Sequence, residues 1–156
     1  MKKILFLTSL SALIIQCSKP NTDNSLSKTE MLALVKSLDA QFSIGVQQKD
    51  SAMLTNIYSD NSSYVQPNRE ILVGRKEIGK DWGEFLRLKE QPIDLVLNIS
   101  SVSGNREIIY EVGTGYTLIA DSTKWRFNYV NVWKLGEDGK YTLEIDTYNS
   151  RQKLPE

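Results

Sequence analysis

Histidine is absent from the 156-residue chain, and cysteine occurs once. Histidine is the usual metal ligand and the usual general base at neutral pH, so its absence excludes a Ser-His-Asp triad and a histidine-based zinc site. The single cysteine, Cys17, excludes an internal disulfide, an all-cysteine metal site and a catalytic dithiol. We therefore predict no metal site and expect no cofactor.

The charges are balanced, with 19 lysines and arginines against 19 aspartates and glutamates. A nucleic-acid-binding protein needs a basic face, so we expect no nucleic acid partner. Apolar residues make up 40% of the chain and charged residues 24%, which is ordinary for a globular protein. The length suits one domain.

The chain begins with a targeting segment. Lys2 and Lys3 precede an apolar run over residues 4–15. The run is too short to cross a bilayer core of about 30 Å, because a helix rises by only about 1.5 Å per residue. It ends directly before Gln16 and Cys17. This layout resembles a bacterial lipoprotein signal, which implies cleavage after residue 16 and lipidation of Cys17.

Gln16 departs from that pattern, which prefers Gly, Ala or Ser before the cysteine, so an ordinary secretory leader with an incidental cysteine stays as the alternative. The polar stretch after Cys17 lacks apolar periodicity and is typical of a flexible tether. We expect a protein anchored by lipid in the cell envelope, in the outer membrane or facing the periplasm. The predicted divisions are a signal peptide over 1–16, a tether over 17–26, one domain over 27–150 and a tail over 151–156.

Helical spacing dominates the first half of the domain. Ser27 and Glu30 match a capping box, and Asp50 is placed to cap a second, short helix that includes Tyr58. The residues at 60–62 have the composition of a turn. In chain order, the predicted elements are a helix over 27–49, the short helix, strands at 64–66 and 71–73, and a third helix over 75–90.

After Pro92 the apolar period changes from helical to two residues. Because the links between the expected strands are short, an antiparallel meander is predicted. Helices followed by strands indicate an α+β fold. The predicted strands cover 93–103, 107–119, 125–135 and 140–148, with a loop over 120–124 and a hairpin turn at 136–139.

Landmarks for a family are spread over residues 30–150. They are Lys49-Asp50 with Leu54 and Tyr58-Ser59-Asp60, Gly74-Arg75-Lys76-Glu77-Ile78 with Trp82, Tyr110-Glu111-Val112-Gly113 with Tyr116, Val132-Trp133-Lys134, Asp138-Gly139-Lys140-Tyr141, and Asp146-Thr147-Tyr148-Asn149-Ser150. In this order they resemble the NTF2-like superfamily of cone-shaped α+β folds, and within it the SnoaL-like and DUF4440-type proteins. The resemblance implies three helices packed on a curved antiparallel sheet of four long strands plus a short strand, with a cavity at one end.

Strand alternation predicts which side chains line that cavity. On the strand over 107–119, the bulky set from Tyr110 to Tyr116 is expected on the concave face, and Glu111, Gly113 and Gly115 on the other. Aromatic rings with a few polar groups suit a small, partly apolar ligand, although the rings alone could simply fill the core. The predicted ligand-binding residues are Tyr64, Gln66, Trp82, Tyr116, Asn131, Asp146 and Tyr148.

The resemblance also allows catalysis to be tested residue by residue. Ketosteroid isomerases of this superfamily use an Asp base before the proline that ends the first short strand, a Tyr on the first helix and a protonated Asp on the third long strand. The matching positions here are Gln66, Phe42 and Asn131, of which only Asn131 can donate a hydrogen bond from its side chain to an oxyanion in that way. That chemistry is not supported, and we predict no catalytic residue.

The sequence thus predicts a lipid-anchored domain that binds an unidentified small molecule or partner and is not an enzyme. One alternative is an enzyme acting on a small carbonyl-bearing substrate, with Asp146 as base and Asn131 as donor. Another is a dimeric assembly module without a ligand. The homodimer is expected to form through a sheet face that carries Glu111, Gly113, Gly115, Asn128, Val130 and Val132.

Overall fold

The computed structural model describes residues 25–88, 92–119 and 124–151 of the chain. The predicted signal peptide, Cys17 and most of the tether lie outside the described residues, as do the end of the predicted third helix, the loop over 120–123 and residues 152–156. No helix in the described part of the chain is long and apolar enough to cross a membrane.

One curved sheet carries the strands of the described residues, in the order β2-β1-β6-β5-β4-β3. The predicted α+β class is confirmed, although the sheet has six strands in place of four long strands and a short one. The helices are α1 (Lys28–Gln47), α2 (Ser51–Ile57) and α3 (Arg75–Phe85). The strands are β1 (Tyr58–Val65), β2 (Leu72–Val73), β3 (Pro92–Gly104), β4 (Ile108–Ile119), β5 (Lys124–Leu135) and β6 (Tyr141–Ser150).

Helix α1 begins where the capping box predicts. The backbone N–H of Ser27 donates to Glu30 Oε2 at 2.8 Å, and the backbone N–H of Glu30 donates to Ser27 Oγ at 3.3 Å. Both are donors that an isolated helix would leave unpaired. The helix ends at Gln47, close to the predicted boundary, and Lys49 then adopts a left-handed φ of 55° that turns the chain towards α2.

The junction of α2 and β1 differs from the prediction. Tyr58 does not extend the second helix, and 60–62 is not a turn, because the chain is already in β1 from Tyr58 onwards. Ser62 Oγ donates to the carbonyl of Leu143 on β6 at 2.6 Å, and the register between β1 and β6 shifts between Tyr58 and Ser63. The turn-forming residues are therefore accommodated in a β-bulge.

Strand β1 pairs with β6 in parallel, whereas β3 to β6 form the predicted antiparallel meander. The parallel pairing sets Tyr64 directly beside Asp146. Strand β1 also pairs antiparallel with the two-residue β2. Helix α3 ends at Phe85, earlier than predicted, because the backbone tightens into a turn in which Arg87 N–H bonds to the carbonyl of Glu84 at 3.1 Å.

The two faces of β4 are the reverse of the prediction. Glu111 and the two glycines are buried, whereas Tyr110 is 48% and Val112 43% exposed. Rings from β5 fill the space above the glycines: a Cβ atom added at Gly113 would lie 2.5 Å from the ring of Tyr129. Gly115 lies in the same way under Phe127. Large residues on β5 therefore need small residues opposite them on β4, and this pairing decides which face of β4 is concave.

Candidate functional site

A cavity of about 420 Å³ opens between the helices and the concave face of the sheet. Its wall combines rings from both layers with a small number of polar groups, a composition typical of small-molecule sites. The rings are those of Phe42, Tyr64, Trp82, Phe85, Trp125, Phe127, Tyr129 and Tyr148, and the polar side chains include Gln66, Arg69, Asp81, Asn131 and Asp146.

Six of the seven predicted ligand-binding residues line this cavity: Tyr64, Gln66, Trp82, Asn131, Asp146 and Tyr148. The seventh, Tyr116, does not line the cavity. It alternates with Gly115, which is buried on the concave face, and so belongs to the outer face of β4. There the ammonium group of Lys124 lies 4.7 Å from the centre of its ring.

A continuous aromatic wall forms one side of the cavity. The ring of Tyr64 stacks on Trp82, with 6.3 Å between centroids and 11° between planes. The ring centroids of Tyr148 and Tyr64 are 6.1 Å apart, and those of Phe127 and Tyr148 are 5.8 Å apart. Rings from α3, β1, β6 and β5 thus form one wall of the cavity, with one stacked pair and two inclined pairs, and the parallel pairing of β1 with β6 assembles it.

Asp146 receives a hydrogen bond through a short chain of donors. Trp82 Nε1–H donates to the Tyr58 hydroxyl at 3.0 Å, and the Tyr58 hydroxyl donates to Asp146 Oδ2 at 2.7 Å. Tyr58 was missed as a site residue because its spacing fits the apolar face of α2. Only the parallel pairing of β1 with β6 brings it to the carboxyl group.

Burial raises the pKa of Asp146 to about 7, and the charge of Glu111 also raises it, while the hydrogen bond from Tyr58 lowers it. Near neutral pH the group therefore exists in both protonation states. Burial and the charge of Asp146 raise the pKa of Tyr58, Tyr64 and Tyr148, which stay protonated.

Asn131 lies directly opposite Asp146 on the neighbouring strand and directly opposite Glu111 on its other side. It is 1% exposed, and its Oδ1 has no hydrogen-bond partner among the described residues. We call the part of the cavity formed by Asn131 and Asp146 its deep end. The mouth is formed by the exposed residues Leu88, Trp125 and Arg126, together with Arg69.

Two further buried carboxyl groups, those of Glu111 and Asp39, lie beside the cavity. Glu111 accepts hydrogen bonds from the Tyr129 hydroxyl and from Trp133 Nε1–H, the latter at 2.9 Å. Asp39, on α1, is buried, and neither of its carboxyl oxygens has a hydrogen-bond partner in the described part of the chain. Burial and then the charge of Glu111 raise the pKa of Asp39 to about 9, so Asp39 is protonated at neutral pH.

The sequence contains a signal for the burial of Asp39, which was not among the predicted site residues. Asp39 stands four residues after Val35 and three before Phe42, which places a carboxyl group on the buried stripe of α1. Glu111 had no such signal, because its inward direction depends on which face of β4 is concave.

Near the mouth, three polar side chains bond to one another. Gln66 Nε2 donates to Asp81 Oδ2 at 2.8 Å, Arg69 Nη1 donates to Gln66 Oε1 at 2.8 Å, and Arg69 Nη2 donates to Asp81 Oδ1 at 2.6 Å. The amide of Gln66 is thus occupied on both sides. Arg69 and Asp81 were not among the predicted site residues.

A second depression, of about 590 Å³, runs between α1 and the edge strand β3. Polar side chains bridge it. Ser43 Oγ donates to the carbonyl of Leu95 at 2.6 Å, and Gln47 Nε2 donates to Asp94 Oδ1 at 2.8 Å. These bridges hold the helix against the edge of the sheet.

Solved structures with the same architecture come from several bacteria. An NTF2-like protein of unknown function from Silicibacter pomeroyi has a TM-score of 0.58 at 20% identity, with 81% of this chain and 100% of that chain covered. A ketosteroid isomerase-like protein from Erwinia carotovora atroseptica has a TM-score of 0.66 at 12% identity, with 80% and 98% covered.

A protein of unknown function with a cystatin-like fold from Nostoc punctiforme has a TM-score of 0.68 at 13% identity, with 84% of this chain and 98% of that chain covered. The fold is NTF2-like. No family model matches the chain, and no curated protein matches it. At these identities the likeness shows the fold alone, and function has to be argued from the cavity.

The three positions compared with the isomerases, Gln66, Phe42 and Asn131, all line the cavity of this NTF2-like cone. None of them carries a carboxyl or a hydroxyl group. The carboxyl group that does reach the cavity is Asp146, on β6. Among the described residues, no group of three acidic or cysteine side chains could hold a metal ion.

Proposed function

We propose that the chain is a lipid-anchored envelope protein whose NTF2-like domain binds a small, partly apolar molecule. The open aromatic cavity with the polar pair Asn131 and Asp146 at its deep end carries the proposal. A buried polar group that lacks a protein partner is costly, and a ligand can supply that partner. Among NTF2-like folds, the landmarks of the chain favour the SnoaL-like and DUF4440-type group.

Native mass spectrometry of the purified full chain tests the binding function. We expect an extra mass on the order of a few hundred daltons, the size that such a cavity admits, which is lost on denaturation. Thr117 lines the cavity and Thr114 alternates with the buried Gly113 and Gly115, so it lies on the outer face of the same strand. Thr117→Trp should fill the cavity and abolish the extra mass, whereas Thr114→Trp should retain it. Retention by both variants would contradict binding in the cavity.

A second candidate function is catalysis on a small carbonyl-bearing substrate. The observation that favours it is the pKa of Asp146, raised to about 7 beside an open cavity, as a general base at neutral pH requires. Asp146 would take a proton from the carbon next to a carbonyl group, and the Asn131 amide would donate to the resulting enolate oxygen. Deuterium exchange into cyclohexanone, followed by NMR, should be accelerated by wild type and not by Asp146→Asn.

The homodimer is proposed on a corrected surface. Because Glu111, Gly113 and Gly115 face inwards, they do not belong to the outer face as the sequence had suggested. The outer face of the sheet carries Val130 between Val112 on β4 and Thr147 on β6, with Tyr110 and Ile145 nearby. Such an uncharged, exposed patch suits a second copy of the chain related by a two-fold axis.

A further inference from the structure

The deep end of the cavity is rich in hydrogen-bond acceptors. Asn131 and Asp146 face the same space from neighbouring strands, and both are more than nine-tenths buried. Asn131 Oδ1 has no partner among the described residues. Asp146 receives one side-chain hydrogen bond in this part of the chain, from Tyr58. The two groups together can therefore accept further hydrogen bonds.

The nearby donors are already committed. Trp82 donates to Tyr58, and Tyr58 donates to Asp146. On the other side of Asn131, Tyr129 and Trp133 both donate to the buried carboxyl group of Glu111. These two indole and two phenol donors are thus used within the protein's own network, and none of the four is left for Asn131.

In the described part of the chain, no positive charge lies at the deep end. No lysine or arginine is buried among the residues that the structure describes. At the mouth, Arg69 is bonded to Asp81 at 2.6 Å, and Arg126 is exposed. A carboxyl group that ionises here has no buried cation among the described residues to compensate it, which makes a positively charged ligand favourable.

The wall beside these acceptors is suited to a cation. Tyr64, Trp82 and Tyr148 present stacked and tilted rings next to Asp146. Aromatic faces attract ammonium groups through their negative quadrupole, most strongly where water is excluded. Rings and a carboxylate in one cavity are complementary to an amine carried on a flat apolar frame.

We propose that the cavity takes an organic cation, a primary or substituted ammonium on an aromatic or alicyclic frame, with its N–H groups directed at Asp146 and Asn131. This inference rests on the proposed binding function and specifies its ligand class. The frame packs against Tyr64, Trp82 and Tyr148, and an ammonium group supplies donors for the free acceptors of the deep end together with the positive charge that its described residues lack.

Binding of such a cation depends on pH, because Asp146 must be ionised. The pKa of Asp146 is raised to about 7 mainly by burial, so the free site gains its charge as the pH rises through that value. Tyr58 and Tyr64 from β1, Tyr148 from its own strand and Glu111 from β4 face Asp146. Further from Asp146, Asp39 on α1 interacts with Glu111. The charge of Asp81 on α3 acts on Tyr64 and Tyr148. The tyrosines stay neutral, so the change in charge within this range belongs to Asp146.

Two probes of the same shape test the proposal. Isothermal titration calorimetry of the full chain compares 2-phenylethylamine, a cation, with 2-phenylethanol, its neutral analogue. At pH 8 we expect the amine to bind about tenfold or more tightly, and at pH 5.5 we expect this preference to fall at least about fivefold. Asp146→Asn should remove the preference. Glu137→Gln, which removes an exposed carboxylate in the β5–β6 turn, should keep it.

The outcomes separate this inference from the binding function. Equal, measurable affinities for both probes would overturn the proposal that the ligand is a cation, and the proposal of binding in the cavity would remain. Binding of neither probe at millimolar concentration would overturn both. A preference that survives in Asp146→Asn would overturn the assignment to that residue. Should this variant fail to fold, the pH series on wild type decides, because a preference unchanged at pH 5.5 contradicts the proposal.

Discussion

The Tyr58 hydroxyl donates a 2.7 Å hydrogen bond to Asp146, which lies 88 positions further along the chain. The bond connects the first residue of β1 to the middle of β6, and Trp82 on α3 extends it by donating to the same hydroxyl. Three elements are thereby joined at the deep end of the cavity. This network holds the Asp146 carboxyl group in place without neutralising it.

Removing the Tyr58 hydroxyl should lower stability and raise the pKa of Asp146. Tyr58→Phe keeps the ring but leaves Trp82 Nε1 and Asp146 Oδ2 without their partner, which costs about 1–3 kcal/mol of unfolding free energy. The lost donor had favoured the ionised carboxylate, so its pKa should rise above that of wild type. Urea denaturation and an NMR titration of the carboxyl carbon measure both effects. Tyr110→Phe, on the exposed outer face, should change neither.

Asp39→Asn should become more stabilising, relative to wild type, as the pH rises. The pKa of Asp39 is raised from 3.8 to about 9, so the unfolded chain loses this proton first. Wild type therefore loses stability between these two values, by up to about 1.4 kcal/mol per pH unit, and asparagine removes that loss.

Urea denaturation of both proteins at pH 4.5, 6, 7.5 and 9 measures this difference. Asp146 also makes the free energy of unfolding depend on pH between pH 4 and 7. This dependence is present in both proteins and cancels in their difference. Asp138→Asn, which changes an exposed carboxylate, is the matched control and should follow wild type at every pH. A difference between Asp39→Asn and wild type that stays constant with pH would contradict the raised pKa of Asp39.

Gly113→Ala should destabilise the sheet by about 1–3 kcal/mol, because overpacking a filled core forces its neighbours to shift. The new methyl group would meet the ring of Tyr129 at 2.5 Å, and that ring is held by its bond to Glu111. Gly136→Ala is the control, since the nearest atom there is the carboxyl end of the exposed Asp138 side chain. In urea denaturation, the midpoint of Gly113→Ala should be lower than that of wild type. The midpoint of Gly136→Ala should be almost unchanged. Equal midpoints would mean that the Tyr129 ring moves freely.

A charge at the centre of the outer sheet face should prevent dimerisation. Val130 is 38% exposed between Val112 and Thr147, so Val130→Lys would place two ammonium groups together across a two-fold axis. Light scattering at high micromolar concentration should show a dimer for wild type and a monomer for this variant. Val73→Lys adds the same charge at a 62% exposed site on β2 and should stay dimeric. A monomeric wild type would contradict the proposed homodimer.

Cys17→Ser should release the protein from membranes. The acyl chains on the cysteine supply the membrane affinity, and the polar tether supplies none. Membrane fractionation with mass spectrometry of the N-terminal peptide measures this, and Thr22→Ala in the tether should behave as wild type. Wild-type protein that is already released, and that lacks an acyl mass, would show that Cys17 is not lipidated.

The local elements and their order follow from the amino-acid sequence without reference to the fold. Capping at Ser27 and Asp50, helical spacing in the first half and two-residue alternation after Pro92 are local properties, and all of them are found in the structure. Alternation also predicted that Asn131 and Asp146 face the concave side of the sheet. On β5 and on β6, the alternating set of side chains that includes this residue is the more buried of the two. Resemblance over the whole domain then predicted the α+β cone.

Which face of β4 is concave, and what Tyr58 contacts, depend on long-range packing. Alternation divides β4 into two sets without saying which is inside, and bulk favoured the wrong one. Space on the concave face was already taken by Tyr129 and Phe127, so the glycines had to lie beneath them. Tyr58 and Asp146 meet because β1 and β6 pair in parallel, a long-range contact without a periodic signal in the chain.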